Sequence, residues 1–317
     1  MNKILDTPKT LQEAVAYFSN PEQCFAYAMQ LRWPDGKVGC PRCGSNQHSF
    51  ISTRKIWFCK GCKKQFTVKV GTIFEDSPLG MDKWMTAMWL VVNCKNGISS
   101  CEVARDLGIT QKSAWFMVHR LRLALQDKDG GKLGGEVEVD ETFIGGLARN
   151  MHVAKRREKI FGTGGRDKVA VLGILKRKGQ VRTSVVPDVT RTTLRGRVLA
   201  NVDPGAQVFT DAWVAYTGLN SEYVHSVIDH ARAYAIENVH TNGLENYWSL
   251  LKRTIKGTYV SVEPFHLFRY LDEQAFRFNT REELTESERF EQAMKQVVGR
   301  RVTWNALTGK QATPRPN

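Results

Sequence analysis

The residues best placed to do chemistry in this 317-residue sequence are three acids and a lysine. Asp140 ends the alternating run Glu136-Val-Glu-Val-Asp140. Asp211 ends Gln207-Val-Phe-Thr-Asp211. Glu245 lies in His240-Thr-Asn-Gly-Leu-Glu-Asn-Tyr-Trp-Ser-Leu-Leu-Lys-Arg253. Read as a helix starting near Asn242, this last stretch sets Asn242, Glu245, Ser249 and Lys252 on one stripe, because residues three, four and seven apart share a face. Leu244, Tyr247, Trp248 and Leu251 cover the adjoining side and would hold the stripe against a core. Two strand-end aspartates and a helix-borne glutamate are the arrangement that two-metal phosphoryl transfer needs.

Three carboxylates within ~4 Å repel by roughly 4 kcal/mol per pair at an effective dielectric near 20, so such a cluster stays ionised only around cations. Two Mg²⁺ ions, or Mn²⁺ in their place, suit it: hard ions that accept carboxylates, waters and phosphate oxygens. Lys252 would contact a phosphate near the reacting bond. Asn242, one turn before Glu245 on the same face, is an alternative or auxiliary ligand. Glu138 shares a strand face with Asp140 by period-two alternation, and either assists the metals or pairs with nearby arginines. His240 adjoins the helix start as a further site residue or a structural one.

Around these residues the chain divides by composition. Residues 1–37 read as a helical lead-in. Between 38 and 71, Cys40-Pro-Arg-Cys43 and Cys59-Lys-Gly-Cys62 have the spacing of a ribbon holding one structural Zn²⁺. Residues 82–125 carry a helix, the Gly108-Ile-Thr110 turn and a second helix, a helix-turn-helix pattern. Its Gln111, Lys112 and Ser113 would face base edges and phosphates. Arg120 of the same helix, and Lys252 with Arg253, complete the expected DNA contacts. A glycine-rich linker at 126–135 leads to 136–280, where strands and helices alternate as in a mixed sheet covered on both faces. A tail follows at 281–317.

The formal charge of +14 and pI near 9.5 favour a polyanionic partner. The N-terminus lacks a secretory apolar core, and the most apolar window is far shorter than the ~20 residues of a membrane span. Thiolates reserved for metal suit the reducing cytoplasm.

Val139-Asp-Glu-Thr-Phe-Ile-Gly-Gly146, Thr210-Asp-Ala-Trp-Val-Ala-Tyr216 and the His240 to Arg253 stretch, together with the two cysteine pairs, resemble the DDE transposases of bacterial insertion sequences. The likeness is to the ISXO-like branch with an N-terminal zinc ribbon. It implies a ribonuclease-H-like catalytic domain, Mg²⁺-dependent cleavage at transposon ends and transfer of the 3′-hydroxyl into target DNA. On the matching positions Asp140, Asp211 and Glu245 would be the metal-binding acids, with Lys252 beside them. The implied partner is double-stranded DNA, at the transposon ends and the target. A homodimer or larger assembly would join two ends, in a nucleoid-associated bacterial setting. A zinc-ribbon and helix-turn-helix transcriptional regulator whose C-terminal domain has lost chemistry is the non-enzyme alternative, and a nuclease or junction resolvase is a third reading.

Overall fold

The computed structural model describes residues 7–127, 130–146, 152–154, 157, 168–228 and 240–309. Most of the basic and glycine-rich insertion expected after the first strand, with Lys155 and Arg156, and the last eight residues of the chain lie outside them. The chain forms two compact units, Met1–Gln126 with Thr280–Asn317, and Asp127–Asn279. No helix among the described residues is long and apolar enough to cross a membrane.

In the first unit, α1 (Leu11–Phe18) and α2 (Pro21–Arg32) start at Thr10 and Asn20, whose side chains accept the first free backbone N–H groups. A three-stranded antiparallel sheet follows, β1 (His48–Ile51), β2 (Ile56–Cys59) and β3 (Gln65–Phe66). Trp57 stacks on Phe66 at 5.5 Å and on Phe25 of α2 at 6.0 Å. Next come α3 (Met81–Asn93), α4 (Ser100–Leu107) and α5 (Gln111–Ala124). Helix α3 starts on Gly80, without a side-chain cap, and Asp82 lies in its first turn. Between α4 and α5 the chain reverses at Gly108, φ +58°, and Thr110 caps the second helix.

The C-terminal segment is part of this unit's core. Helix Glu286–Lys295 opens with a capping box, Thr285 and Glu288. Its Phe290 is fully buried against the rings of Phe18, Tyr27 and Trp89.

The second unit is built on a five-stranded sheet. Its strands are β4 (Glu136–Ile144), β5 (Val169–Lys176), β6 (Val181–Val186), β7 (Gln207–Asp211) and β8 (Val224–Ile228), in the order β6-β5-β4-β7-β8. The first three pair antiparallel; β7 and β8 add on in parallel. Strand alternation then sorts the side chains. Val137, Val139, Leu172 and Ile174 face α6 (Arg191–Asn201), whose Leu194 and Val198 are fully buried. On the other side Ile144, Val171 and Leu175 pack against α7 (Asn242–Thr254) and α8 (Leu267–Asn279). A mixed sheet covered on both sides in this way is the ribonuclease-H-like arrangement. It puts Glu138 and Asp140, on the even positions of β4, toward α7.

Candidate active site

Asp140 sits mid-sheet, between an antiparallel and a parallel neighbour. Its antiparallel partner is Gly173 of β5. On the parallel side the ladder ends with Glu138 opposite Phe209; Asp140 and Asp211 lie two residues beyond that pair on their strands, and the charge of Asp211 bears on Asp140. The carboxylate of Asp211 accepts from the backbone N–H of Trp213 at 3.1 Å, a turn that bends the chain away after the strand. Glu245 lies in the first turn of α7, half-buried, with Asn242 exposed at the helix start.

The neighbourhood of the three acids registers electrostatically. Burial foremost, opposed by a hydrogen bond from Trp248 and reinforced by the charges of Asp211 and Glu245, raises Asp140 from 3.8 to about 6. Glu141, the next residue, is raised from 4.5 to about 7, by burial first and then by Asp211 and Asp140, against a hydrogen bond from Tyr216. Among the described residues only the four cysteines bring three or more metal-ligating side chains within 4.8 Å of one another. The three acids, expected to meet closely, are therefore not all within that distance of one another, although the charges of Asp211 and Glu245 bear on Asp140.

A carboxyl whose folded pKa lies above its unfolded value binds its proton more tightly in the folded state. Its contribution to stability is present at low pH and disappears as pH rises through the folded value. Without Mg²⁺ but with zinc retained, the melting temperature should therefore fall between about pH 4 and about pH 7. Added Mg²⁺ should recover the loss at the upper end, and Asp140→Asn should flatten part of the slope. A melting temperature that is flat in this window, and the same in Asp140→Asn, would refute this electrostatic account.

Asp140 is held by a side chain from far along the sequence. The indole Nε1–H of Trp248 donates to its Oδ2 at 2.8 Å. The indole reaches it over Gly173, where a Cβ would lie 2.6 Å from Cζ2 of Trp248 and 2.9 Å from Cδ2 of Leu244. Gly173 is thus the gap in β5 through which α7 touches the sheet. Gly173→Ala should destabilise the unit by ~1–3 kcal/mol through overpacking. A Trp248→Phe background, lacking the indole's extra ring atoms, should relieve much of that cost. Equal destabilisation in both backgrounds, read by denaturant melts, would rule the contact out.

Glu138, on the same face of β4 as Asp140, is engaged by other groups. Its Oε1 accepts from Arg177 Nε at 3.0 Å and lies 3.4 Å from His240 Nδ1, while Oε2 accepts from the backbone N–H of Leu244 at 2.9 Å. Helix α7 has no side-chain cap from Thr241, so a carboxylate from the sheet does that work. Gly243 makes the approach possible: a Cβ there would stand 2.8 Å from Glu138 Oε2. The Arg177 guanidinium lies 3.8 Å over the Phe209 ring and also donates to the His240 carbonyl at 2.8 Å. His240 and Glu138 are accordingly the hinge on which the helix carrying Glu245 is mounted.

In the ribbon, Cys40 and Cys62 sulfurs are 3.8 Å apart, and Cys43 and Cys59 3.6 Å. Tetrahedral Zn–S bonds of about 2.3 Å require sulfurs about 3.8 Å apart, so the four thiols fit one zinc ion. Backbone N–H of Cys62 is the foremost cause that lowers Cys59 to about 6. The left-handed turn residues are Gly44, φ +75°, and Lys63, φ +57°, each just after the second cysteine of its pair.

Two sequence families meet this geometry. Residues 132–279 match the ISXO2-like transposase domain, and residues 19–65 the transposase zinc-ribbon domain. Over 106 residues the chain is 34% identical to an uncharacterized transposase-like protein of Haemophilus influenzae, spanning 85% of that protein and 33% of this one. The chain belongs to the ISXO2-like transposases. It is also 27% identical, over 238 residues, to an uncharacterized protein in transposable element ISH50 of Halobacterium salinarum, a match covering 71% of this chain and 79% of that one.

The expected DNA contacts of this transposase are placed unevenly. Gln111 and Lys112 are exposed at the start of α5, where Gln111 Nε2 donates to Ser100 Oγ at 3.1 Å. The Lys112 ammonium lies 4.8 Å from the ring centre of Trp304, at the head of the short helix Trp304–Leu307. Ser113 is tied into the Thr110 cap. Arg120, expected on a DNA-facing surface, is buried instead: it donates to the Glu75 carbonyl and lies over the Trp84 and Phe116 rings. Its position three residues after Met117 and four before Ala124 puts it on a packed stripe of α5. Lys252 and Arg253 are exposed on α7.

Sequence reading passed over Trp248 as a ligand holder, Gly173, Arg177, and the pair Glu141 and Tyr216, whose hydroxyl donates to Glu141 Oε2. The signals were present: Glu141 and Tyr216 both fall inside the motifs singled out for their aspartates.

Proposed function

We propose that this transposase binds the terminal repeats of its insertion sequence, cleaves DNA at the element ends and joins the freed 3′-hydroxyl to target DNA. In this reading Asp140, Asp211 and Glu245 hold two Mg²⁺ ions, or Mn²⁺, and the observation that carries it is that the charges of Asp211, at the end of β7, and Glu245, on α7, both bear on the buried Asp140 in the middle of β4. Oxygen donors with surplus charge, open to one side, fit hard ions that keep water and accept a phosphate oxygen. When bound, such ions activate the attacking oxygen and stabilise the departing one.

The chain's own residues do the positioning. Trp248 fixes one oxygen of Asp140 and leaves the other available. Glu138 and Arg177 mount the helix start, so that Glu245 and the auxiliary Asn242 turn toward the aspartates. Lys252, two turns on from Glu245, neutralises a phosphate of the bound strand. In the first step a water oxygen bonds to phosphorus and the bond to the 3′ oxygen breaks. In the second, that 3′ oxygen attacks a target phosphodiester and displaces another 3′ oxygen. Each step exchanges one P–O bond for another.

Gln111, Lys112 and Ser113 read the repeat in the major groove, with Arg253 beside Lys252 on the strand near the reaction. The four cysteines hold the structural zinc of the ribbon, residues 38–71, and 82–125 act as the helix-turn-helix. Two ends require a homodimer or larger assembly on DNA, in the bacterial cytoplasm at the nucleoid. The test is a supercoiled mini-element with both terminal repeats: purified protein should nick it and produce strand-transfer products only with Mg²⁺ or Mn²⁺. Repeat-specific binding without any cleavage would leave a regulator; cleavage without strand transfer would leave a nuclease.

A further inference from the structure

Beyond Asp140 the strand β4 and the helix α7 run on side by side for another turn, and of the residues between them only Lys252 enters the reaction as described. A cleft of about 200 Å³ opens there, lined by Ile144, Gly145, Lys168, Lys252, Ile255 and Lys256. Ile144 and Ile255 make an apolar floor, both nearly buried. The rim is three exposed lysines, and among the described residues none of them is joined to a carboxylate by an ion pair.

Its construction follows from residues already met. Ile144 pairs with Val169, so Lys168 stands across from Gly145. A Cβ on Gly145 would lie 2.9 Å from Lys168 Cγ and 3.2 Å from its Cα. The first glycine of the Phe-Ile-Gly-Gly motif is therefore the place where that lysine passes over the strand end. From the other side, Lys252 and Lys256 are four apart. The helix loosens there into a π-turn, Ile255–Tyr259, and ends at Val260 with φ +61°. A β-branched residue in that conformation is costly, and π-turns recur at functional sites.

The distance from the acids can be reckoned along both elements. Four residues of strand from Asp140 to Ile144 span roughly 13 Å at ~3.3 Å each. Eight residues of helix from Trp248, which touches Asp140, to Lys256 span roughly 12 Å at ~1.5 Å each. Three cations that form no ion pair with an acid among the described residues, further along the same strand and helix as Asp140 and Trp248, fit a polyanion that continues from the reacting phosphate.

We propose that this cleft is a backbone track for the DNA strand, gripping its phosphates with Lys168, Lys252 and Lys256 about three or four stacked nucleotides from the reacting bond, at ~3.4 Å per nucleotide along one strand. Ile144 and Ile255 support the lysine stems and the sugar edge. The inference rests on the reading that Asp140 marks the reacting phosphate.

The test uses the full chain, and duplex DNA carrying the element's terminal repeat. Lys168→Gln with Lys256→Gln removes two charges from exposed positions outside the acid cluster. Binding is measured without divalent ions over a range of salt. The slope of log affinity against log salt should shrink by about 1.8, or ~0.9 per phosphate lost. Duplexes with a single neutral methylphosphonate, stepped along each strand, should lose affinity for the unaltered protein at three or four nucleotides from the cleavage position. The double variant, which keeps Lys252, should lose clearly less affinity at those same positions.

An unchanged slope, or an unchanged methylphosphonate pattern in the double variant, would overturn the track. Circular dichroism and the melting temperature of the variant are read alongside, and Lys168→Arg with Lys256→Arg should restore the slope. The underlying reading has its own control. Asp140→Asn should bind with the full slope and not nick; nicking by that variant sinks the catalytic assignment, whereas a failed slope change with an inert Asp140→Asn sinks only the track.

Discussion

Asp211→Asn should lose nicking activity by at least about 10³-fold, some 4 kcal/mol of barrier, while the protein becomes no less stable. The amide keeps the size of the carboxylate and the oxygen that accepts from Trp213 N–H, so the turn after β7 survives. What it loses is one negative charge from a cluster in which Asp211 opposes the ionisation of both Asp140 and Glu141. Relief of that repulsion should hold or raise the melting temperature of the metal-free protein, and DNA affinity should be unchanged. The combination distinguishes a functional acid from a structural one, whose loss would cost stability and activity together. Nicking within about tenfold of the unaltered protein, at saturating Mg²⁺, would remove Asp211 from the reaction.

The second large effect concerns zinc. The ribbon sheet has strands of only four, four and two residues, with Trp57 and Phe66 as its main buried pair. So small a core cannot hold the fold unaided, and structural zinc commonly supplies ~10–16 kcal/mol of apparent binding energy at neutral pH. Removing the ion with a chelator, or the ligand with Cys59→Ser, should unfold this segment. Limited proteolysis should then cut between about residues 38 and 66, where the intact ribbon resists. The helical cluster around Phe18, Trp89 and Phe290 is independent of the ion and should keep its circular dichroism. A ribbon that stays protected after zinc is stripped, with hydrogen exchange unchanged over β1 to β3, would contradict the assignment.

Much of the site was legible because it is written in local patterns. Alternation placed Asp140 at a strand position facing the same way as Glu138, and the helical stripe from Asn242 to Lys252 put Glu245 and Lys252 on one side. Cysteine spacing specified the ribbon, since a Cys-x-x-Cys turn has one geometry that brings two sulfurs to one ion. The turn between α4 and α5 could be read from Gly108 and Thr110, residues whose backbone preferences act within a few positions.

Other features were decided only when the chain closed on itself. Arg120 has the type and the place for a DNA contact, yet the packing of Trp84, Phe116 and Glu75 around it encloses the guanidinium, and no local rule says which face of α5 is covered. The segment after residue 280 reads as an appendage, but Phe290 belongs to the core of the first unit. Glu138 was a candidate helper of the metals until a partner 106 residues away, the N–H of Leu244, claimed its second oxygen. Trp248 and Asp140, 108 residues apart, meet because Gly173 leaves a hole in the strand between them. Sequence alone determined which side chains could act and along which face of their own strand or helix they point, because φ/ψ preference and hydrophobic periodicity are properties of neighbours. Which of those side chains are satisfied and which are left to bind was fixed by contacts between distant segments, and these exist only once the sheet and α7 are packed together.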